Sequence, residues 1–144
     1  MTQVDRSALV LHSAEQMFDL VDGVERYAEF LPGCVRTEVI SRTDDELVAT
    51  LHLAKGGLKY QFSTRNQLER PGRMTLQLEE GPFSSLQGEW RFVPLSDEAC
   101  KVVLHLEFEI GGKLTALAVG KLFEQVASNM VDAFVSRADQ VYGA

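Results

Sequence analysis

The sequence predicts an α+β fold. A seven-stranded antiparallel sheet is wrapped around one long C-terminal helix, with two short helices after the first strand. Three observations carry this reading. From Cys34 to Ile110 apolar and polar residues alternate with a period of two, broken by short turns, as half-buried antiparallel strands require. From Val119 to Val141 apolar residues return at steps of three and four, the spacing of one helix face. Between the first strand and Cys34, two segments carry helix start and stop signals.

The opening strand is "VDRSALVLH", with Val4, Leu9 and Leu11 as its apolar positions. "SAEQ" then fits a capping box, with Ser13 as N-cap and Gln16 three residues on, followed by the apolar Met17, Phe18, Leu20 and Val21. Asp22-Gly23 breaks this helix. Asp22 with Glu25 repeats the cap pattern for a second short helix through Tyr27 and Phe30, and Pro32-Gly33 stops it. Tyr27, Phe30 and Leu31 form an apolar side that would close one end of the fold.

The remaining strands follow in order. "VRTEVISR" and "ELVATLHLAKG" are joined by Thr43-Asp44-Asp45, and Leu47, Ala49, Leu51 and Leu53 share one face of the second. Gly56-Gly57 turns the chain into "LKYQFSTRNQLE", where Leu58, Tyr60, Phe62 and Thr64 point one way. After Pro71-Gly72, "RMTLQLEEG" alternates Met74, Leu76 and Leu78 against Thr75, Gln77 and Glu79. "GEWRFVPL" turns Trp90 and Phe92 inward. "KVVLHLEFEI" sets Val102, Leu104, Leu106, Phe108 and Ile110 opposite His105, Glu107 and Glu109. The final helix, about 28 residues and about 40 Å long, repeats Val119, Phe123, Val126, Met130, Phe134, Ala138 and Val141. It is the only element large enough to cover the dry face of the sheet. Where sheet and helix do not meet, an apolar cavity would remain.

The 144 residues are 45% hydrophobic, enough for one domain spanning residues 1–144 with a sizeable core. No run approaches the ~18 apolar residues of a membrane span. "MTQVDRSALVLHS" has neither a basic head nor a small-residue cleavage site, so the cytoplasm is the expected location. Cys34 and Cys100 are expected as free, buried thiols. His12, His52 and His105 are scattered, no Cys or His pair has ligand spacing, and no metal site is expected. Fourteen basic against 21 acidic residues give a net charge of −7, which should repel free nucleic acid. An RNA contact would need a local basic patch. The densest candidate is Arg65, Arg70 and Arg73, which reads first as a solvated hairpin tip.

Three segments carry a resemblance: "SAEQMFDLVDGVERYAEFLPGC", "GPFSSLQGEWRF" and "KLFEQVASNMVDAFVSRADQVYG". With the order of elements, they resemble the coenzyme Q-binding and RatA ribosome-association-toxin family of the START-like (SRPBCC, helix-grip) superfamily. The resemblance runs over essentially the whole chain. It implies the helix-grip fold and two family functions. One is binding the polyprenyl quinone coenzyme Q (ubiquinone) in support of respiration. The other is binding the large ribosomal subunit and blocking its association with the small one.

The candidate ligand-binding residues are the inward apolar side chains: Leu53, Tyr60, Phe62, Leu76, Trp90, Phe92, Leu106 and Phe108 from the strands, and Phe30, Phe123, Met130 and Phe134 from the helical segments. Aromatic-rich apolar surfaces of this kind suit lipid ligands. The competing reading is that these side chains meet and fill the core. Periodicity alone favours the filled core; the resemblance favours a cavity holding a ubiquinone-like lipid.

The superfamily also includes polyketide cyclases. A cyclase needs an acid or base in the cavity. Only Tyr60 and Trp90 of the inward strand residues offer polar atoms, and His52 and His105 fall on the wet face. Cys34 has no histidine nearby in sequence and no basic neighbour before Arg36, so an activated thiolate is not expected. No catalytic residues and no catalytic cofactor are therefore assigned.

The leading expectation is non-catalytic binding of coenzyme Q in an apolar cavity. The alternative is a RatA-type toxin acting on the large ribosomal subunit, and the third reading is a cyclase-like enzyme. A second strip on the long helix, Leu117, Val131, Val135 and Tyr142, is either a wider buried face or a transient contact with a partner or the inner membrane. In "EEGPFSSLQGEW", Phe83 and Leu86 either cap the core or form an entrance lid, and Gly88 marks a close backbone approach.

Overall fold

The computed structural model describes residues 2–111 and 116–143. Strand β1 (Thr2–Val10) leads to helix α1 (Ala14–Asp22) and a 3-10 helix (Val24–Glu29). Strands β2 (Cys34–Arg42), β3 (Glu46–Lys55), β4 (Leu58–Glu69), β5 (Arg73–Glu80), β6 (Phe83–Ser96) and β7 (Ala99–Ile110) follow, and helix α2 (Ala116–Tyr142) completes the fold. The sheet order is β1-β7-β6-β5-β4-β3-β2, with every neighbouring pair antiparallel. Strands β2 to β7 are a run of hairpins. β1 and β2 are neighbours in sequence but occupy opposite edges, so the chain must cross from one edge to the other. α1 and the 3-10 helix are that crossing.

Local signals placed α1 correctly. The Ser13 hydroxyl accepts from the Gln16 N–H at 3.1 Å, and the Gln16 side chain accepts from the Ser13 N–H at 3.0 Å. The second helix differs from expectation. It is a 3-10 helix entered from Gly23 without a side-chain cap. Asp22 cannot cap it because it still belongs to the last turn of α1. There its buried carboxylate accepts from Arg42 at 3.0 Å and Arg70 at 2.5 Å.

β1 also differs. Val4 pairs with Leu106 and Val10 with Cys100, so the even-numbered residues face the helix. Leu9 and Leu11 are 73% and 87% exposed, and Val10 is the buried residue. On β2, register shifts between Cys34 and Arg36 and between Val39 and Ser41 break the alternation. Val35, Val39 and Ile40 are exposed along that edge.

The concave face of the sheet meets α2. Trp90, Phe92, Leu104, Leu106 and Phe108 from the sheet, and Leu122, Phe123, Val126, Ala127, Val131, Phe134 and Ala138 from the helix, are all buried. A large side chain buried in this way contributes roughly 1.5–3 kcal/mol of transfer free energy. Phe83 and Leu86 lie within β6 and are buried, so they cap the core and form no lid. Gly88 is the expected close approach: a Cβ there would stand 2.2 Å from the His105 carbonyl oxygen.

Candidate functional site

The interior between sheet and α2 is filled by two groups of aromatic rings. Phe62, Phe83, Phe108 and Phe123 pack with centroid separations of 4.7–6.1 Å. Tyr27, Phe30, Trp90 and Phe134 pack at 5.2–6.1 Å. Nearly all these contacts are edge-to-face, the geometry that the ring quadrupoles favour. Between the groups lies a cavity of about 60 Å³. Pockets that take drug-sized ligands hold about 300–1,000 Å³. The void has room for a few water molecules and is far below the size of a polyprenyl quinone.

Phe62, Leu76, Trp90, Leu106, Phe123 and Met130 line this cavity. The other six candidates are not among its lining residues. Leu53, Phe92, Phe108 and Phe134 are fully buried in the surrounding core. Tyr60 stacks on Phe62, and its hydroxyl finds no partner among the described residues. Phe30 is only half-buried, edge-on to Phe134 and beneath the Arg137 guanidinium at 5.0 Å.

Val24, Tyr27, Ala49, Leu51, Thr64, Asn66, Met74 and Leu86 complete the lining. Alternation had already set Ala49, Leu51, Thr64 and Met74 on inner faces, and Asn66 had a signal of the same kind. The alternation through Tyr60, Phe62 and Thr64 carries it to the inner face, although an amide there defies the apolar pattern.

The cavity's polar chemistry is sparse. The Tyr27 hydroxyl donates to the Val21 carbonyl, and burial, then the Asp22 charge, hold its pKa far above the usual phenol value. The Asn66 amide donates weakly to the Met74 sulfur at 3.9 Å, and its Oδ1 has no partner. Asn66 is more than nine-tenths buried, so this unpaired carbonyl is a destabilising feature and a ready acceptor. No carboxylate, imidazole or ammonium group is among the lining residues. The Cys34 thiol is pushed up to about 11 by burial, and burial likewise raises Cys100, so neither is a thiolate at neutral pH.

The candidate basic patch is neutralised. Arg65 donates to Glu46 and Glu79, both at 2.5 Å. Arg70 donates to Asp19 and Asp22, also at 2.5 Å. Arg73 pairs with Glu89 at 2.7 Å and Glu69 at 3.6 Å. Arg70 and Arg73 do flank the exposed β4–β5 hairpin turn, but all three arginines are held by carboxylates of the fold.

On the second strip of α2, Val131 is buried and Val135 half-buried. Tyr142 donates its hydroxyl to the Gln16 carbonyl at 3.1 Å, and the Leu117 side chain lies outside the described residues. Among the described residues, no helix is long and apolar enough to cross a membrane, and no group of three His, Cys, Asp or Glu could hold a metal ion.

The chain is thus a twisted antiparallel sheet gripping one long helix around a small, mostly apolar cavity. Residues 10–135 match the family model described as polyketide cyclase / dehydrase and lipid transport, and the chain belongs to that family. It is similar to the ribosome association toxin RatA of Vibrio cholerae, with 50% identity over 143 residues that cover 99% of each chain. A more distant relative is the coenzyme Q-binding protein COQ10 homolog B, mitochondrial, of Xenopus laevis. It is 27% identical over 145 residues, covering 98% of this chain and 59% of that one. The crystal structure of Zhui aromatase/cyclase from Streptomyces sp. R1128 superposes with a TM-score of 0.84 over 96% of this chain and 94% of that one. At 19% identity, that likeness speaks to the fold alone.

Proposed function

We propose that the chain is a RatA-type toxin that binds the large ribosomal subunit and blocks its joining to the small one, without catalysing a reaction. The observation that carries this reading is the 50% identity to a ribosome association toxin along 99% of both chains. The geometry is compatible with it. The core is packed by rings rather than opened into a lipid pocket, so function falls to the surface. The test is sedimentation of purified protein with isolated large subunits, followed by addition of small subunits. Migration with the large subunit and a reduced yield of joined ribosomes are expected. Protein that stays at the top of the gradient at low salt overturns the reading.

A second reading has one specific observation behind it, the unpartnered Asn66 carbonyl in the cavity. An apolar ligand carrying a hydroxyl or N–H donor would satisfy it. Of a ubiquinone-like lipid only the hydroquinone form carries such a donor, and it would also have to widen a void of about 60 Å³ several-fold by separating α2 from the sheet. Native mass spectrometry of freshly purified protein tests this: bound lipid supports it, and an empty protein that takes up no coenzyme Q removes it.

A further inference from the structure

The cations of this protein are sorted by type. Eight of its nine arginines are ion-paired: Arg26, Arg36, Arg42, Arg65, Arg70, Arg73, Arg91 and Arg137. Among the described residues, none of the lysines Lys55, Lys59, Lys101 and Lys121 forms such a pair. Three of these four lysines share one end of the molecule. Lys55 closes β3 and Lys59 follows the first residue of β4, with Gly56-Gly57 between them. The Lys55 ammonium donates to Gln125 of α2 at 2.8 Å, and Lys121 lies one helical turn before Gln125 on the same face.

The tip itself is bare backbone. Gly56 and Gly57 have φ of +60° and +86°, and a Cβ on either would meet nothing within 4 Å. Two left-handed residues in succession make the tight hairpin turn that lets β3 and β4 project without a side chain at the apex. Beside the tip, a crevice of about 290 Å³ runs between Gly33, Lys55 and α2, where Gln125 and Asn129 offer amide groups. Glu124, three residues after Lys121 on α2, and Glu80, which ends β5 next to β4, offset part of this charge without pairing with the lysines. The middle of the convex face is internally balanced: Asp5, Glu79 and Glu89 pair there with His105, Arg65, Arg73 and Arg91.

We propose that this hairpin end is the surface that meets the large ribosomal subunit, and that Lys55, Lys59 and Lys121 contact the phosphate backbone of its RNA. The proposal rests on the ribosome reading above. A net charge of −7 opposes broad RNA contact. A small contact avoids that conflict, because the hairpin lysines are cations that no carboxylate of the described residues pairs with. Lysine suits this role as a compact, mobile charge for phosphate, whereas the arginines are held in carboxylate forks. A slender glycine tip fits the shape- and backbone-based recognition typical of folded RNA.

The test is the triple variant Lys55→Gln/Lys59→Gln/Lys121→Gln, with binding to purified large subunits measured across a salt series. Each lost lysine–phosphate contact should lower the slope of log affinity against log salt by about 0.7–0.9. The triple variant should therefore lose about two units of slope and roughly tenfold or more in affinity. Its thermal melt should match wild type, and Lys101→Gln, at the opposite end of the sheet, should bind as wild type does. Unchanged affinity in the triple variant overturns the proposal and leaves the ribosome reading standing. Weakened binding with an unchanged salt slope assigns the contact to a ribosomal protein and also overturns it. A wild-type protein that does not bind removes both.

Discussion

The end of the molecule where α1 docks and the end where the β3–β4 hairpin projects are built by opposite means. At the α1 end, charge is used to fasten. Asp22 holds Arg42 and Arg70, and the Arg70 guanidinium lies 4.6 Å from the centroid of the Phe18 ring. His12 bonds Asp139 at 2.8 Å, and Arg137 bonds Glu29 at 2.6 Å. These contacts tie α1, the 3-10 helix and the C-terminal half of α2 to the sheet. At the hairpin end the fastening is left to the Phe62, Phe83, Phe108 and Phe123 rings, and the lysines carry no carboxylate partner. A charge already matched within the fold contributes to holding elements together. A charge left unmatched is available to a partner.

Four substitutions test this contrast. The largest effect belongs to Trp90→Ala. It removes a fully buried ring that meets Phe92 and Phe134 and enlarges the existing cavity. A loss of about 3–5 kcal/mol is expected in chemical denaturation. A loss below about 1 kcal/mol would mean that the α1-end cluster is not the anchor described.

Asp22→Ala comes next. It removes the buried carboxylate that Arg42 and Arg70 share, leaving Arg42 on Glu25 and Arg70 on Asp19, and should cost about 2 kcal/mol, the worth of a charge-assisted hydrogen bond. If the melt is unmoved, the ionic fastening of α1 is ornamental.

Asn66→Leu should act in the other direction. It removes an unpaired buried carbonyl and fills part of the void, raising stability by about 1 kcal/mol. A destabilised variant would indicate that the amide has a partner in solution, which would strengthen the ligand reading.

The smallest effect is at His105, on the convex face. The hydrogen bond that its Nδ1–H donates to the Asp5 carboxylate raises its pKa against an opposing effect of burial, with the Asp5, Glu107 and Glu89 charges adding to the rise. A group with a raised folded-state pKa stabilises fully below its unfolded value of about 6.5, and this contribution is lost as pH rises through the folded value. Wild type should therefore lose a small increment of melting temperature between about pH 6 and pH 8 relative to His105→Gln. An NMR titration placing His105 at or below the ordinary histidine value would contradict this.

Much of this fold could be read residue by residue. The Ser13–Gln16 capping box, the Gly56-Gly57 and Pro71-Gly72 turns and the three-and-four spacing of α2 depend on neighbours within a few positions, so the chain announces them. β1 was ambiguous because Leu9, Val10 and Leu11 are all apolar, and only pairing with β7 chooses which of them face inward. The candidate site was legible by halves. Alternation placed Phe62, Leu76, Trp90 and Leu106 on the inner face, and helix spacing did the same for Phe123 and Met130. It could not separate them from Leu53, Phe92, Phe108 and Phe134, whose neighbours close around them and leave no space.

The sequence by itself determined the order and type of the elements, the dry and wet faces of most strands, and membership in a helix-grip family. Those properties follow from periodicity, turn chemistry and extended motifs, all of which are local or linear. Tertiary structure alone decided the volume left between sheet and helix, because a void is the remainder after rings from five separate elements have packed. It alone decided that Arg65, Arg70 and Arg73 are spent on carboxylates between 4 and 51 residues away. It also left Lys55, Lys59 and Lys121 at one end without carboxylate partners. Charge depends on which side chains meet in space, and no linear spacing in this chain records that.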